Sequence, residues 1–192
     1  LFEEGEIDID SPVVEYLKKL DIDKNILDNR WYKISVKNLL QHTGGWDSKK
    51  SGDPMFYYPA KIVQEKNRTI KPIDVVEYML GKPLDFDPGS KYVYSNFGYC
   101  VLGRVIEAVS GLNYEDYINR YILRPAGIND MHIGSTEYSK KRKTEATYYT
   151  AFNNPQMAEL PDNKKENANP YGSFNIEIMD SHGGWIASAV EF

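Results

Sequence analysis

The chain has 192 residues, 41% of them apolar and 27% charged, with a formal net charge of −5. That is enough chain for one domain with a sizeable core, and the acidic balance gives no electrostatic basis for binding nucleic acid or an anionic membrane. A single cysteine excludes an internal disulfide, and no apolar run approaches the roughly 18 residues that a membrane-spanning helix needs.

In chain order, LFEEG at 1–5 reads as the last turn of a helix closing on Gly5 as its C′ residue. Val13, Val14, Leu17 and Leu20 then fit a short helix started by Ser11-Pro12, with the proline at the first helical position. Ser35 caps a helix carrying Val36, Leu39 and Leu40, which ends before Gly44-Gly45. Pro72 opens another, with Val75, Val76, Met79 and Leu80 on its apolar face and Gly81 at its end. The stretch KYVYSNFGYCVLGRVIE (91–107) turns from extended chain into the longest helix, opened by Ser95 or Asn96. There Cys100, Val101, Val105, Ile106 and Val109 recur at three- and four-residue steps up to Gly111. Cys100 sits in this stripe and reads as a small buried hydrophobe. Asn113 caps the next segment, with Tyr114, Tyr117, Ile118, Tyr121 and Ile122, stopped by Pro125 and Gly127.

Residues 1–138 are thus mainly helical, and residues 139–192 change character. The basic cluster Lys140-Lys141-Arg142-Lys143 reads as a solvated loop. EATYYTAF (145–152) has the composition of a strand, and residues 153–171 form a long polar loop of the kind that often lines a binding site. Ile176, Ile178 and Met179 predict a short extended segment leading into HGGW (182–185). SAVE (188–191) has the spacing of a capping box at a helix start. A helix end at residue 1 and a helix start at residue 188 together suggest an internal piece of a longer protein.

Several chemistries can be set aside. His42, His132 and His182 are far apart, with no HExxH or CxxC spacing, so no metal site and no cofactor is expected. The glycines make neither GxxxxGK[ST] nor GxGxxG. Ser95 invites a nucleophile reading, but the GxSxG elbow would need glycines where Val93 and Phe97 stand, and a helix cap explains Ser95 better. No serine in the chain has a lysine three residues later. Tyr94 and Asn96 support two readings. One is a packed ring beside a helix-capping asparagine. The other is a phenol, with an unperturbed pKa near 10, that works as a base beside a cation while a carboxamide two residues on holds the substrate. Composition alone favours the first.

Several segments, in order, resemble the serine β-lactamase and penicillin-binding-protein superfamily, in particular its class C β-lactamase and esterase branch. LFEEGEIDIDSPVVEYL is similar to the segment that follows the family's nucleophile helix. ISVKNLLQHTGGW resembles I-T-x-x-x-L-L-x-H-T-S-G, with Gly44 where a serine is usual. FDPGSKYVYSNFGYCVLGRVIEAVSGLNYEDYINRYILRPAGI resembles the Y-x-N region and the helix pair after it. HGGWIASAVEF is like G-G-L-x-S-T-x-x-D without the aspartate. The resemblance implies an α/β (α+β) fold of the β-lactamase/DD-peptidase type. This chain would supply mostly the helical subdomain, with residues 139–192 returning to the sheet domain.

The same resemblance makes Tyr94 a catalytic residue and Asn96 a substrate-binding one. It implies a serine hydrolase acting on an amide or ester through an acyl-enzyme, on a β-lactam, a D-alanyl peptide or a small ester. The SxxK serine and lysine would precede Leu1, and a K-T-G or H-x-G strand would follow Phe192. His182-Gly183-Gly184 aligns with the double-glycine segment and is not counted as catalytic, and His42 reads as a structural residue that orients a turn. The implied partners are a small-molecule or peptide acyl substrate and the remainder of the same domain, and export is the family's habit. A non-catalytic binding or sensor module on the same fold, or one half of a split enzyme, are the competing readings.

Overall fold

Three apolar side chains at 13, 14 and 17 are enough to set the first helix against the rest of the chain. Helix α1 (Val13–Leu17) buries all three completely. The computed structural model describes residues 1–22, 25–148, 171 and 174–191. Pro12 lies one residue outside α1, not at its first position. The cause is tertiary: Val13 N–H donates to Ile34 O and Pro12 pairs with Ser35, so the chain is still extended at the proline. Ahead of it, Gly5 adopts φ +77° while Gly5 N–H donates to Phe2 O and Glu6 N–H to Leu1 O, the paired bonds that close a helix C-terminus.

Helix α2 (Val36–Leu40) starts as expected, with Ser35 Oγ accepting from Asn38 N–H and Asn38 Oδ1 accepting from Ser35 N–H. Three short helices follow that the sequence did not announce: α3 (Ser48–Ser51), α4 (Pro54–Tyr57) and α5 (Pro59–Lys66). Asp47 and Asp53 cap the first two by accepting from Lys49 N–H and Met55 N–H, and prolines occupy the first positions of α4 and α5. Helix α6 (Pro72–Leu80) and helix α7 (Asn96–Ser110) lie where their periodicity put them. Helix α8 (Tyr114–Ile118) is capped by Asn113 and runs on as a π-type turn over Asn119–Leu123.

Helix α7 is the axis of the fold and packs against α1, α2, α4, α6 and α8. Phe97, Cys100, Val101 and Val105, at three- and four-residue steps, form its buried face. Each such side chain contributes about 1.5–3 kcal/mol of hydrophobic stabilisation. Cys100 is fully buried and its thiol is pushed up to about 12 by burial, as a packing residue requires. Among the described residues the strands form a two-stranded antiparallel ribbon, β1 (His132–Ile133) with β2 (Trp185–Ile186), in which His132 faces Ile186 and Ile133 faces Trp185.

Two expectations about the C-terminal third are corrected. Ile176, Ile178 and Met179 do not form an extended segment. Residues Glu177–Met179 make a 3-10 turn, because Ile178 and Met179 must both bury on one side rather than alternate. Of the strand expected over 145–152, residues 145–148 are a bend and irregular chain, and 149–152 lie outside the described residues. The loop expected over 153–171 also lies outside them, apart from Tyr171.

The departure from the family pattern at Gly44 has a steric reason. A Cβ there would sit 2.5 Å from Cζ3 of Trp46 and 3.1 Å from Cδ2 of Leu39. Trp46 cannot yield, since it is 3% exposed and wedged against Trp31 and Phe97, with ring centroids 5.2 and 4.8 Å away. Gly44→Ser, the change toward the family pattern, is therefore expected to destabilise the protein by about 1–3 kcal/mol through overpacking. Urea unfolding would read this directly, and an unchanged midpoint would show that the indole moves freely.

Candidate active site

The corner at Tyr94 is assembled by backbone hydrogen bonds between two segments distant in sequence. Asp85 N–H and Phe86 N–H both donate to Gly45 O, Gly89 N–H donates to Thr43 O, and Val93 N–H donates to His42 O. A glycine is needed at 45, where φ is +121° and a Cβ would lie 3.0 Å from Phe86 O. Arg30 anchors the loop that follows α6. Its guanidinium bridges Asp28 and Asp87 and donates to Leu84 O, while Asp28 accepts from Leu84 N–H. The hydrogen bonds from Arg30 hold the Asp28 carboxyl well below the usual carboxylate range.

These bonds lay the chain of 92–95 across His42. The imidazole lies between two tyrosine rings, Tyr94 at 4.7 Å and Tyr99 at 5.0 Å between centroids. His42 Nδ1 accepts from Ser95 N–H at 3.2 Å, which requires a neutral ring with its proton on Nε2. Burial lowers the pKa of His42, which favours that neutral form. His42 also has φ +55°, a conformation uncommon for a residue with a side chain and held here by the surrounding bonds. It serves the turn, as the sequence suggested.

Ser95, rather than Asn96, caps α7. Its Oγ accepts from Gly98 N–H at 3.1 Å, and Asn96 is the first helical residue. The helix-capping role considered for Asn96 therefore falls to Ser95, and the Asn96 carboxamide is left to bond elsewhere. Asn96 Oδ1 accepts from the Tyr94 hydroxyl at 3.0 Å, and Asn96 Nδ2 donates to Asp53 Oδ2 at 2.7 Å. Tyr94 is 58% exposed, so its hydroxyl is open to a ligand. Asp53 was missed by the sequence reading. The Asp-Pro pair at 53–54, a helix-start signal, was the local clue to its capping role, but nothing local points to Asn96.

The other residues weighed from sequence lie elsewhere. His132 is in β1 and His182 precedes β2. Both ring nitrogens of His182 are buried without a hydrogen-bond partner among the described residues, and burial, with the Arg104 cation adding to it, pushes its pKa down to about 4. Among the described residues no group of three or more metal-ligating side chains gathers, and no helix is long and apolar enough to cross a membrane. In the basic cluster, Lys140 pairs with Glu137 and Lys141 bonds to Glu145 O, as befits a surface loop.

A Tyr-x-Asn corner at the start of a central helix, joined by backbone to an HTGG turn, can be compared with known proteins. The family model for Beta-lactamase matches residues 1–191. The chain belongs to the β-lactamase family. Among curated relatives of this family, it is 30% identical over 134 residues to a putative D-alanyl-D-alanine carboxypeptidase of Escherichia coli, covering 67% of this chain and 28% of that protein. The chain therefore spans little more than a quarter of that relative's length.

Among solved structures, it superposes over its whole length on 53% of a D-stereospecific amidohydrolase from Streptomyces, with a TM-score of 0.68 and 23% identity, a likeness of fold. The octameric penicillin-binding protein homologue from Pyrococcus abyssi gives 0.60 at 25% identity, covering 100% of this chain and 39% of that one. The β-lactamase-type α/β fold expected from the motifs is thus present here as its mainly helical part with a small sheet.

Proposed function

We propose that the full-length protein is a serine hydrolase that cleaves an amide or ester through an acyl-enzyme. Residues 1–192 would contribute Tyr94 and Asn96, while the attacking serine and its lysine lie outside them. The observation that carries this reading is the exposed Tyr94 hydroxyl, hydrogen-bonded to Asn96 Oδ1 at the mouth of α7, in a chain of this family.

In the proposed reaction the serine oxygen bonds to the acyl carbon and its proton passes to the Tyr94–lysine pair. That pair then delivers the proton to the departing amine or alcohol. Water attacks the acyl-enzyme by the same route in reverse and releases the acid. Asn96 holds the substrate beside the reacting serine. Ser95 takes no part, since its oxygen is committed to the α7 cap. The names of the relatives, a carboxypeptidase and an amidohydrolase, favour an amide substrate. Export is the matching compartment for such an activity.

The rest of the domain has an obvious place to dock. An apolar cavity of about 430 Å³ opens between the first residues and α7, lined by Leu1, Ile7, Ile9, Leu40, Leu102 and Ile106 among others. We assign it to chain outside 1–192, because the curated relative is more than three times as long as the stretch matched here.

A fluorescent penicillin or fluorophosphonate is expected to label the full-length protein on a serine outside 1–192. It should leave every serine within 1–192 unmodified. A stoichiometric adduct on Ser95 or any other serine of this chain, located by peptide mass spectrometry, would overturn the assignment. A full-length protein that binds substrate but forms no adduct would be a binding module instead.

A further inference from the structure

We infer that Asp53 makes this corner selective for acyl substrates carrying a protonated amine beside the scissile carbonyl. The inference rests on the reading of Tyr94 and Asn96 given above and adds the substrate class. Its basis is the polarity of the hydrogen-bond chain. The Tyr94 hydroxyl donates to Asn96 Oδ1 at 3.0 Å, and Asn96 Nδ2 donates to Asp53 Oδ2 at 2.7 Å. One amide hydrogen is thereby spent on Asp53, and the carboxamide is locked with its oxygen toward the tyrosine. What the corner offers a ligand is then acceptor-rich: Asn96 Oδ1 and the spare lone pairs of Asp53.

Asp53 is also a carboxylate without a cation. Its Oδ1 accepts from Met55 N–H at 3.0 Å and its Oδ2 from Asn96, but no lysine, arginine or histidine pairs with it among the described residues. Acids close by in the fold are compensated: Asp47 pairs with Lys91 at 2.8 Å and Asp85 with Lys50 at 3.8 Å. A substrate ammonium that reaches this half-buried carboxylate gains a charge-assisted hydrogen bond where a neutral group gains none. Were Asp53 only a prop for the carboxamide, an uncharged acceptor would serve as well.

The test compares two p-nitroanilides that differ at one group, D-alanine p-nitroanilide and isobutyryl p-nitroanilide, in which a methyl replaces the ammonium. Assays at about pH 6.5 keep the amine protonated. In the full-length protein, Asp53→Asn retains a capping oxygen for Met55 N–H but turns its amide nitrogen toward Asn96 Nδ2, and Asp53→Ser retains the cap. Each is expected to lower the ratio of kcat/KM values, ammonium over isobutyryl, by about fivefold or more relative to the parent. A smaller fall in both variants overturns the inference. If Asp53 instead serves a lysine of the protein, both substrates lose rate together and the ratio holds, which also overturns it. The underlying site reading fails separately: Tyr94→Phe would then leave isobutyryl p-nitroanilide turnover within about threefold of the parent.

Discussion

Tyr94→Phe is expected to reduce kcat of the full-length protein by roughly 10²–10⁴, the usual range for a positioned acid–base group. The substitution is well isolated. The phenyl ring keeps its contact with His42, and only the hydroxyl that donates to Asn96 Oδ1 is removed. Because Tyr94 is 58% exposed, little packing depends on that oxygen and the unfolding midpoint should hardly move. Among the described residues no lysine or arginine bonds to Tyr94 or Asn96. A tyrosine acts as a base only when a cation stabilises its phenolate, so the proposed mechanism needs that cation from chain outside 1–192. Steady-state and single-turnover kinetics on one amide substrate would check the prediction. A drop of less than threefold, with chemistry rate-limiting, would return Tyr94 to a packing role.

The largest stability effect is expected at Asp180. Arg104 lies in α7 with its side chain 1% exposed, gripped by Asp180 Oδ2 at 2.5 Å from Nη2 and by Glu107 Oε2 at 2.7 Å from Nε. Asp180→Ala strands half of that guanidinium charge in the interior, at a cost of about 3–5 kcal/mol. Asp180→Asn keeps the shape and one acceptor and should cost less. Equilibrium urea unfolding measures both. A loss below about 1 kcal/mol for Asp180→Ala would mean that Glu107 and water satisfy the arginine alone. The pair joins α7 to the segment before β2, so its loss would loosen the attachment of the ribbon to the helical core.

What could be read from sequence follows from how each element is marked. Helix α7 carries a cap at Ser95, a stop at Gly111 and four turns of apolar spacing between them, while Ser35 marks the start of α2 and Pro72 and Gly81 mark the two ends of α6. Helices α3 and α4, at four residues each, are too short for a 3.6-residue period to show. Ile176 to Met179 has strand-like composition, but burial on one side selects a tight turn. Tyr94 and Asn96 were singled out by the resemblance, where composition alone favoured a packed ring and a cap, and as two residues of one motif they bond directly. Asp53 was not, since it reaches Asn96 across 43 residues by a bond that no local pattern encodes.

The lacing of residues 42–45 to 85–93 bears on how far sequences of this kind can diverge. The bonds that set the height of Tyr94 above His42 run from main chain to main chain, so they survive exchange of most side chains along either segment. Only a few positions are answerable for the geometry, Gly45 and the inverted backbone of His42 foremost. Drift elsewhere along the two segments should therefore cost the placement of Tyr94 little.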